Sequence, residues 1–170
     1  MIGAIAGDII GSIHEGAGTT TVDFPLFGPH HRFTDDTVLT TALAEWIIRG
    51  FDLVDTLHAY FHRYPRAGYG GTFIQWASQR RREPYNSWGN GSAMRVSPVG
   101  FAFDTVDTVL QEAARSAEIS HSHPEGVKGA QATALSVYFA RTTGDKALIK
   151  REVVDRFGYD LNRTVEDIGT

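Results

Sequence analysis

TDDTVLTTALAEWIIRG, residues 34–50, is the segment from which the architecture can be read. Val38, Leu39, Ala42, Leu43, Trp46 and Ile47 recur at the three- and four-residue spacing of one helix face. Thr34 stands in the N-cap position, and Asp35 and Asp36 complement the positive end of the helix dipole. Arg49-Gly50 closes the run with a basic last turn and a glycine stop. The pattern predicts a helix whose first turn holds Thr34 to Thr37. The same four residues place two carboxylates between two hydroxyls, the oxygen donors that a hard divalent cation such as Mg²⁺ requires. Taken alone, they read more simply as a helix start.

Upstream, Ile2, Ile5, Ile9 and Ile13 recur at helical spacing, with Gly3, Gly7 and Gly11 on a second stripe and Asp8, Ser12 and Glu15 on a third. This pattern predicts a buried first helix whose polar stripe can face a site. Asp8 fits a buried, hydrogen-bonded structural acid and a site residue equally well. Residues 16–33 have no sustained period and read as a long loop, a class that often serves as a lid. Downstream, helical patterns cover about Asp55 to Tyr64, Phe73 to Arg82, Ser92 to Phe103 and Val106 to Ile119, the last capped by Asp104-Thr105. From Pro124 to Thr142 the residues are mostly small or apolar, and Pro124-Glu125 suits a first turn. This helix is expected to be central and the most enclosed. No convincing period-2 strand occurs, so the fold class is all-α.

A chain of 170 residues with 42% hydrophobic content supports one core and is expected to form a single domain over residues 1–170. It has no cysteine, which removes disulfides, thiolate zinc sites and cysteine nucleophiles. The compartment is unmarked and consistent with the cytosol. A formal net charge of -4 gives no general attraction to nucleic acid, and Arg80-Arg81-Arg82 reads as the solvated end of a helix. The first twelve residues lack the basic start of a signal peptide, and no stretch approaches the roughly 20 apolar residues of a membrane helix.

Two glycine-rich loops precede helical patterns: Gly68-Tyr69-Gly70-Gly71 and Ser87-Trp88-Gly89-Asn90-Gly91-Ser92. Such loops offer backbone N–H donors and unobstructed approach, which suits phosphate binding, although Gly-Asn-Gly alone is also a tight turn. His121-Ser122-His123 precedes the Pro124 helix. A zinc pair from His121 and His123 is the sharper reading, but alternating histidines before a helix more often cap it and donate hydrogen bonds. Met94 and Arg95 fit structural roles, one filling core and the other satisfying loop carbonyls.

Taken together, Gly7-Asp8 with Gly11-Ser12 and Glu15, then Phe33 to Thr37, Gly89 to Arg95 and Gly126 to Ala130 resemble the ADP-ribosylglycohydrolase family from Gly3 to about Asp167. The resemblance implies a compact orthogonal helical bundle and Mg²⁺-dependent removal of ADP-ribose from a modified protein side chain or small acceptor. It implies Thr34, Asp35 and Asp36 as metal ligands, with the cation touching the ribose, and Glu15 as the carboxylate at the scissile bond. Catalysis is thus expected from Glu15, Asp35 and Asp36. ADP-ribose binding is expected from Gly70, Gly71, Ser87, Trp88, Gly89, Asn90 and His121, with Trp88 as the aromatic against the nucleotide.

Members of the family usually continue further, through an Asp-x-Asp-Thr element that completes a site for two ions, and this sequence contains none. The expectation is therefore the N-terminal part of the fold, lacking the usual C-terminal helices. It would act as a fragment, a half that needs a complementing segment, or a module that binds ADP-ribose without hydrolysing it. Exposed apolar surface would then favour a homo-oligomer. The abrupt ending after a helix-start pattern at Thr164 to Asp167 points the same way.

Overall fold

The computed structural model describes residues 1–16, 18, 19, 21, 23–164 and 167. Among them are eight α-helices and no strand, in agreement with the all-α expectation. In chain order these are α1 (Ile2–Gly11), α2 (Asp35–Arg49), α3 (Leu53–Arg63), α4 (Gly71–Ser78), α5 (Ser97–Ala102), α6 (Val106–Glu118), α7 (Pro124–Thr142) and α8 (Lys146–Phe157), with one 3₁₀ turn at Asn90–Ser92.

The ends of most helices follow from local chemistry. Thr34 caps α2, its hydroxyl accepting from the Asp36 N–H, and Gly50 closes it in the left-handed region at φ 69°. Asp52 caps α3, Thr105 caps α6, His123 caps α7 and Asp145 caps α8, each side chain accepting from a backbone N–H of the first turn. Leu39, Leu43 and Leu57 are fully buried between α2, α3 and their neighbours. Burial at such positions contributes about 2 kcal/mol per side chain.

α7 is central, as the sequence suggests, and packs against α5, α6, α8 and the 3₁₀ turn, but it is not the most enclosed helix: five of its 19 residues are buried, against six of 11 in α3. Its buried residues are mostly small, including Gly126, Ala130, Ala132 and Ala134, so it supplies close approach rather than bulk. α2 contributes the larger core side chains, among them Leu39, Leu43 and Trp46.

Four other expectations are corrected. α1 is not a buried helix: only Asp8 of its ten residues is buried, Ile2 is 85% exposed, and α2 is its main neighbour. Helical spacing of isoleucines marks a face without saying what covers it. The helix expected over Ser92–Phe103 divides into the 3₁₀ turn and α5, because Pro98 lacks an N–H and belongs in a first turn. The helix expected to reach Arg82 stops at Ser78, and Arg80 adopts φ 50°. α8 was not anticipated. The described part of residues 16–33 carries neither helix nor strand, as expected; Ala17, Thr20 and Val22 lie outside the described residues. So do Val165 and Glu166, and with them the expected helix start at Thr164–Asp167. Among the described residues, no helix is long and apolar enough to cross a membrane.

Candidate functional site

Neighbouring residues on a helix point about 100° apart. Asp35 and Asp36, the first two residues of α2, accordingly face two different clefts. Asp35 lines a cleft of about 220 Å³ together with Gly70, Gly71, Ser87, Gly89, Asn90 and His121. Asp36 lines a second cleft of about 380 Å³ together with Asp8, Glu15, Thr40 and the glycines of α1. Met94 borders both.

In the second cleft one oxygen from each of Asp8, Glu15 and Asp36 lies within 4.8 Å of the others. The sequence reading placed Thr34, Asp35 and Asp36 together as ligands. The fold instead gathers Asp36 with two acids from α1 and its exit, and Asp35 is not in that group. Asp8 holds the assembly together. Its carboxylate accepts from the Thr34 N–H at 2.8 Å, the Thr34 hydroxyl at 2.6 Å, the Thr37 N–H at 3.2 Å and the Thr37 hydroxyl. Asp8 is therefore a buried, hydrogen-bonded structural acid that also sits within the acidic group. Thr34 is 2% exposed, and its hydroxyl contacts Asp36 Oδ2 at 3.3 Å as well as Asp8. Glu15 is exposed at the mouth of the cleft.

The acids raise one another's proton affinity. Burial, followed by the neighbouring charge of Asp36, lifts the Asp35 carboxyl to about 6. Burial, followed by Asp8, raises that of Asp36. Such a concentration of negative charge is relieved when a cation arrives.

The first cleft is built differently. Its walls are backbone-rich loops before α4 and before the 3₁₀ turn, with Tyr85 and His121 behind them. His121 is 5% exposed, and its Nδ1 lies 2.9 Å from the Ser120 hydroxyl. A Cβ on Gly91 would stand 2.7 Å from His121 Nε2, so only glycine leaves the ring its place. Of the expected binding residues, Gly70, Gly71, Ser87, Gly89, Asn90 and His121 line this cleft. Trp88 does not. It is 76% exposed, with its ring 6.5 Å from that of His123. The aromatics at the cleft are Phe73 and Tyr85, the latter edge-on to Trp76 at 6.0 Å and to His121 at 5.7 Å. Thr72 and Tyr85 are lining residues that sequence reasoning missed, since no local pattern marks them, and Arg95, expected only as a structural residue, joins them. His123 Nδ1 accepts from the Glu125 N–H and so caps α7, as its position suggested.

A family model described as ADP-ribosylglycohydrolase matches residues 1–168. The chain belongs to the ADP-ribosylglycohydrolase family. Among curated relatives, this family member is 29% identical to ADP-ribosylhydrolase ARH3 of Mus musculus over 175 residues, covering 82% of this chain and 47% of the relative. The Homo sapiens protein of the same name gives 29% identity over 177 residues, with 82% and 48% covered. That of Danio rerio gives 27% over 200 residues, with 98% and 53% covered. The chain thus spans about half the length of the curated relatives it matches.

His121 gives this family member a measurable pH signature. Burial, followed by the charge of Arg95, holds its imidazolium down to about 4. An unfolded histidine takes its proton near 6.5. Between these values the unfolded chain binds a proton that the folded chain refuses, so the contribution of His121 to stability is full above about pH 6.5 and is lost as pH falls towards 4. The loss is about 3 kcal/mol. Urea unfolding of the wild type and of His121→Gln should show the wild type losing about that much more stability between pH 7 and 4. Parallel losses would mean that the histidine is not held neutral.

Proposed function

We propose that the chain is a Mg²⁺-dependent ADP-ribosyl hydrolase domain over residues 1–170, which cleaves ADP-ribose from a modified protein side chain or a related small acceptor. The observation that carries this reading is the division at the start of α2: an acidic group suited to a cation on one side, a loop-walled cleft on the other. Family membership and the name borne by the relatives support the same chemistry.

The donor set fits Mg²⁺. All its members are carboxylates, the hard oxygen donors this ion prefers, with one oxygen of each gathered within 4.8 Å of the others. Asp36, Asp8 and Glu15 are the residues placed to hold it, with Thr34 and Asp35 as further candidate ligands from the same turn. When bound, the cation supplies positive charge to hold ribose hydroxyls and to offset the acids.

The chain's own groups supply the rest. Backbone N–H groups around Gly70-Gly71 and Ser87 to Asn90 bind the diphosphate, and His121 and Tyr85 close the inner wall behind it. Cleavage of the glycosidic bond passes through an oxocarbenium-like transition state, which a nearby carboxylate stabilises. We assign that role to Asp35, the acid that lines the first cleft. Glu15, exposed at the mouth of the neighbouring cleft, is free to accept a proton from the attacking water and to gate access.

ADP-ribose release from arginine-linked and serine-linked substrates, with Mg²⁺ and with EDTA, tests this. Asp36→Asn is expected to lower metal-dependent release by about a hundredfold or more while leaving the unfolding midpoint nearly unchanged. Equal rates in mutant and wild type would remove the metal assignment. Equal binding of ADP-ribose in Mg²⁺ and EDTA without any release would make the chain a binding module instead.

A further inference from the structure

Arg95 is a cation in the wrong place for a purely structural residue. Arg95 is 0% exposed and is one of the residues around the first cleft. Nη2 donates to the Ser116 carbonyl at 2.9 Å and to the Ser120 hydroxyl at 2.8 Å, which ties down the end of α6. Nε and Nη1 have no partner among the described residues, and Arg95 takes part in no ion pair among them. A neutral donor would satisfy Ser116 and Ser120 equally well, so the charge is surplus to that anchoring. Burying an arginine without a counter-charge costs several kcal/mol, and buried charges are ordinarily paired.

The rest of the lining shows what the charge is for. Burial pulls the guanidinium down only to about 10, so it stays protonated at neutral pH. His121 beside it is neutral there. The only other ionisable groups lining the cleft are Asp35, an acid, and Tyr85, whose phenol is kept protonated by burial. Arg95 is thus the one cationic residue around this cleft among the described residues.

We propose that Arg95 is a specificity-determining charge: fully buried among the residues around the first cleft, it makes that cleft select a nucleoside diphosphate over the uncharged nucleoside. This deepens the functional reading above and rests on it. Because Nε and Nη1 are almost wholly shielded from solvent, Arg95 acts through the field it projects rather than by contact. In a low-dielectric wall such a field is strong, and salt screens it weakly. Backbone N–H groups position the diphosphate, and the buried guanidinium supplies the full charge that they lack.

Calorimetric titration of the whole chain with ADP and with adenosine, in EDTA, tests the assignment. The wild type should bind ADP more tightly than adenosine. Arg95→Met should weaken ADP by about tenfold while changing adenosine by less than about twofold. Equal losses for both ligands, or an unchanged ratio, would make Arg95 structural and overturn the proposal. Should the variant fail to fold, the wild type alone decides. Its ADP-to-adenosine preference should hold within about twofold between about 0.05 M and about 0.5 M NaCl, and a preference that vanishes at high salt would assign the selection to surface charge. A folded wild type that binds neither ligand would reject the nucleotide reading itself, and this proposal with it. One that binds both equally would reject only the role of Arg95.

Discussion

Asp8→Ala is expected to cost about 4 kcal/mol of folding stability and to detach α1 from the start of α2. One carboxylate accepts from two N–H groups and two hydroxyls of Thr34 and Thr37, contacts that cross 26 and 29 residues of sequence. Hydrogen bonds to an ionised group are worth about 1.5 to 3 kcal/mol each, and part of the loss is recovered by water entering a helix face that is already half open. Asp8→Asn should be nearly as costly, because its amide turns a donor towards groups that are themselves donors. Urea denaturation measures the loss, and hydrogen exchange locates it. α1 should lose protection before α7 does. A loss below about 1 kcal/mol would mean that other contacts hold α1.

Gly126→Ala is the second large effect. A Cβ at this position would lie 2.7 Å from the Ser87 carbonyl oxygen, 2.9 Å from that of His121 and 3.0 Å from the His121 Cβ. Two of these are backbone atoms and cannot step aside as a flexible side chain would. The Gly126 carbonyl also accepts from the Ser92 hydroxyl at 2.8 Å, so this residue is the common neighbour of three loop segments. Overpacking of this kind costs about 3 kcal/mol. Because Ser87 and His121 both line the first cleft, ADP-ribose affinity should fall with stability. Gly129→Ala, one turn along, is the control. Its Cβ would meet nothing nearer than Ala93 at 3.9 Å, and the change should be neutral or stabilising by up to about 1 kcal/mol through helix propensity. Similar behaviour of the two variants would remove the packing argument.

Residues that carry their own signal were legible in the sequence. Thr34 and Gly50 mark both ends of α2, Thr105 opens α6, and Pro124-Glu125 opens α7, because caps and breakers act within one turn. α8 was missed although Asp145 and Gly158 bracket it. Its six charged residues obscure the apolar set, of which only Val153 is buried. The Thr34 to Thr37 cluster and the loop at Ser87 to Asn90 were also readable from residue type. The grip of Asp8 on Thr34 and Thr37 was not, nor was the approach of Tyr85 and Arg95 to His121, since these depend on tertiary packing. The same holds for Trp88: its type suited a stacking partner, but the turn directs it to solvent.

The divergence of Asp35 and Asp36 has a consequence for how such a site can change. A dipeptide at a helix start acts as a partition wall, and the pitch of the helix, not any loop, decides which acid faces which chamber. Inserting or deleting a single residue between the Asp8-bound Thr34 and the core-bound Val38 would rotate the wall by about 100° and exchange the chambers' contents. The register of α2 is thus fixed from both ends, by Asp8 at Thr34 and by the buried Val38, Leu39, Leu43 and Trp46 behind it.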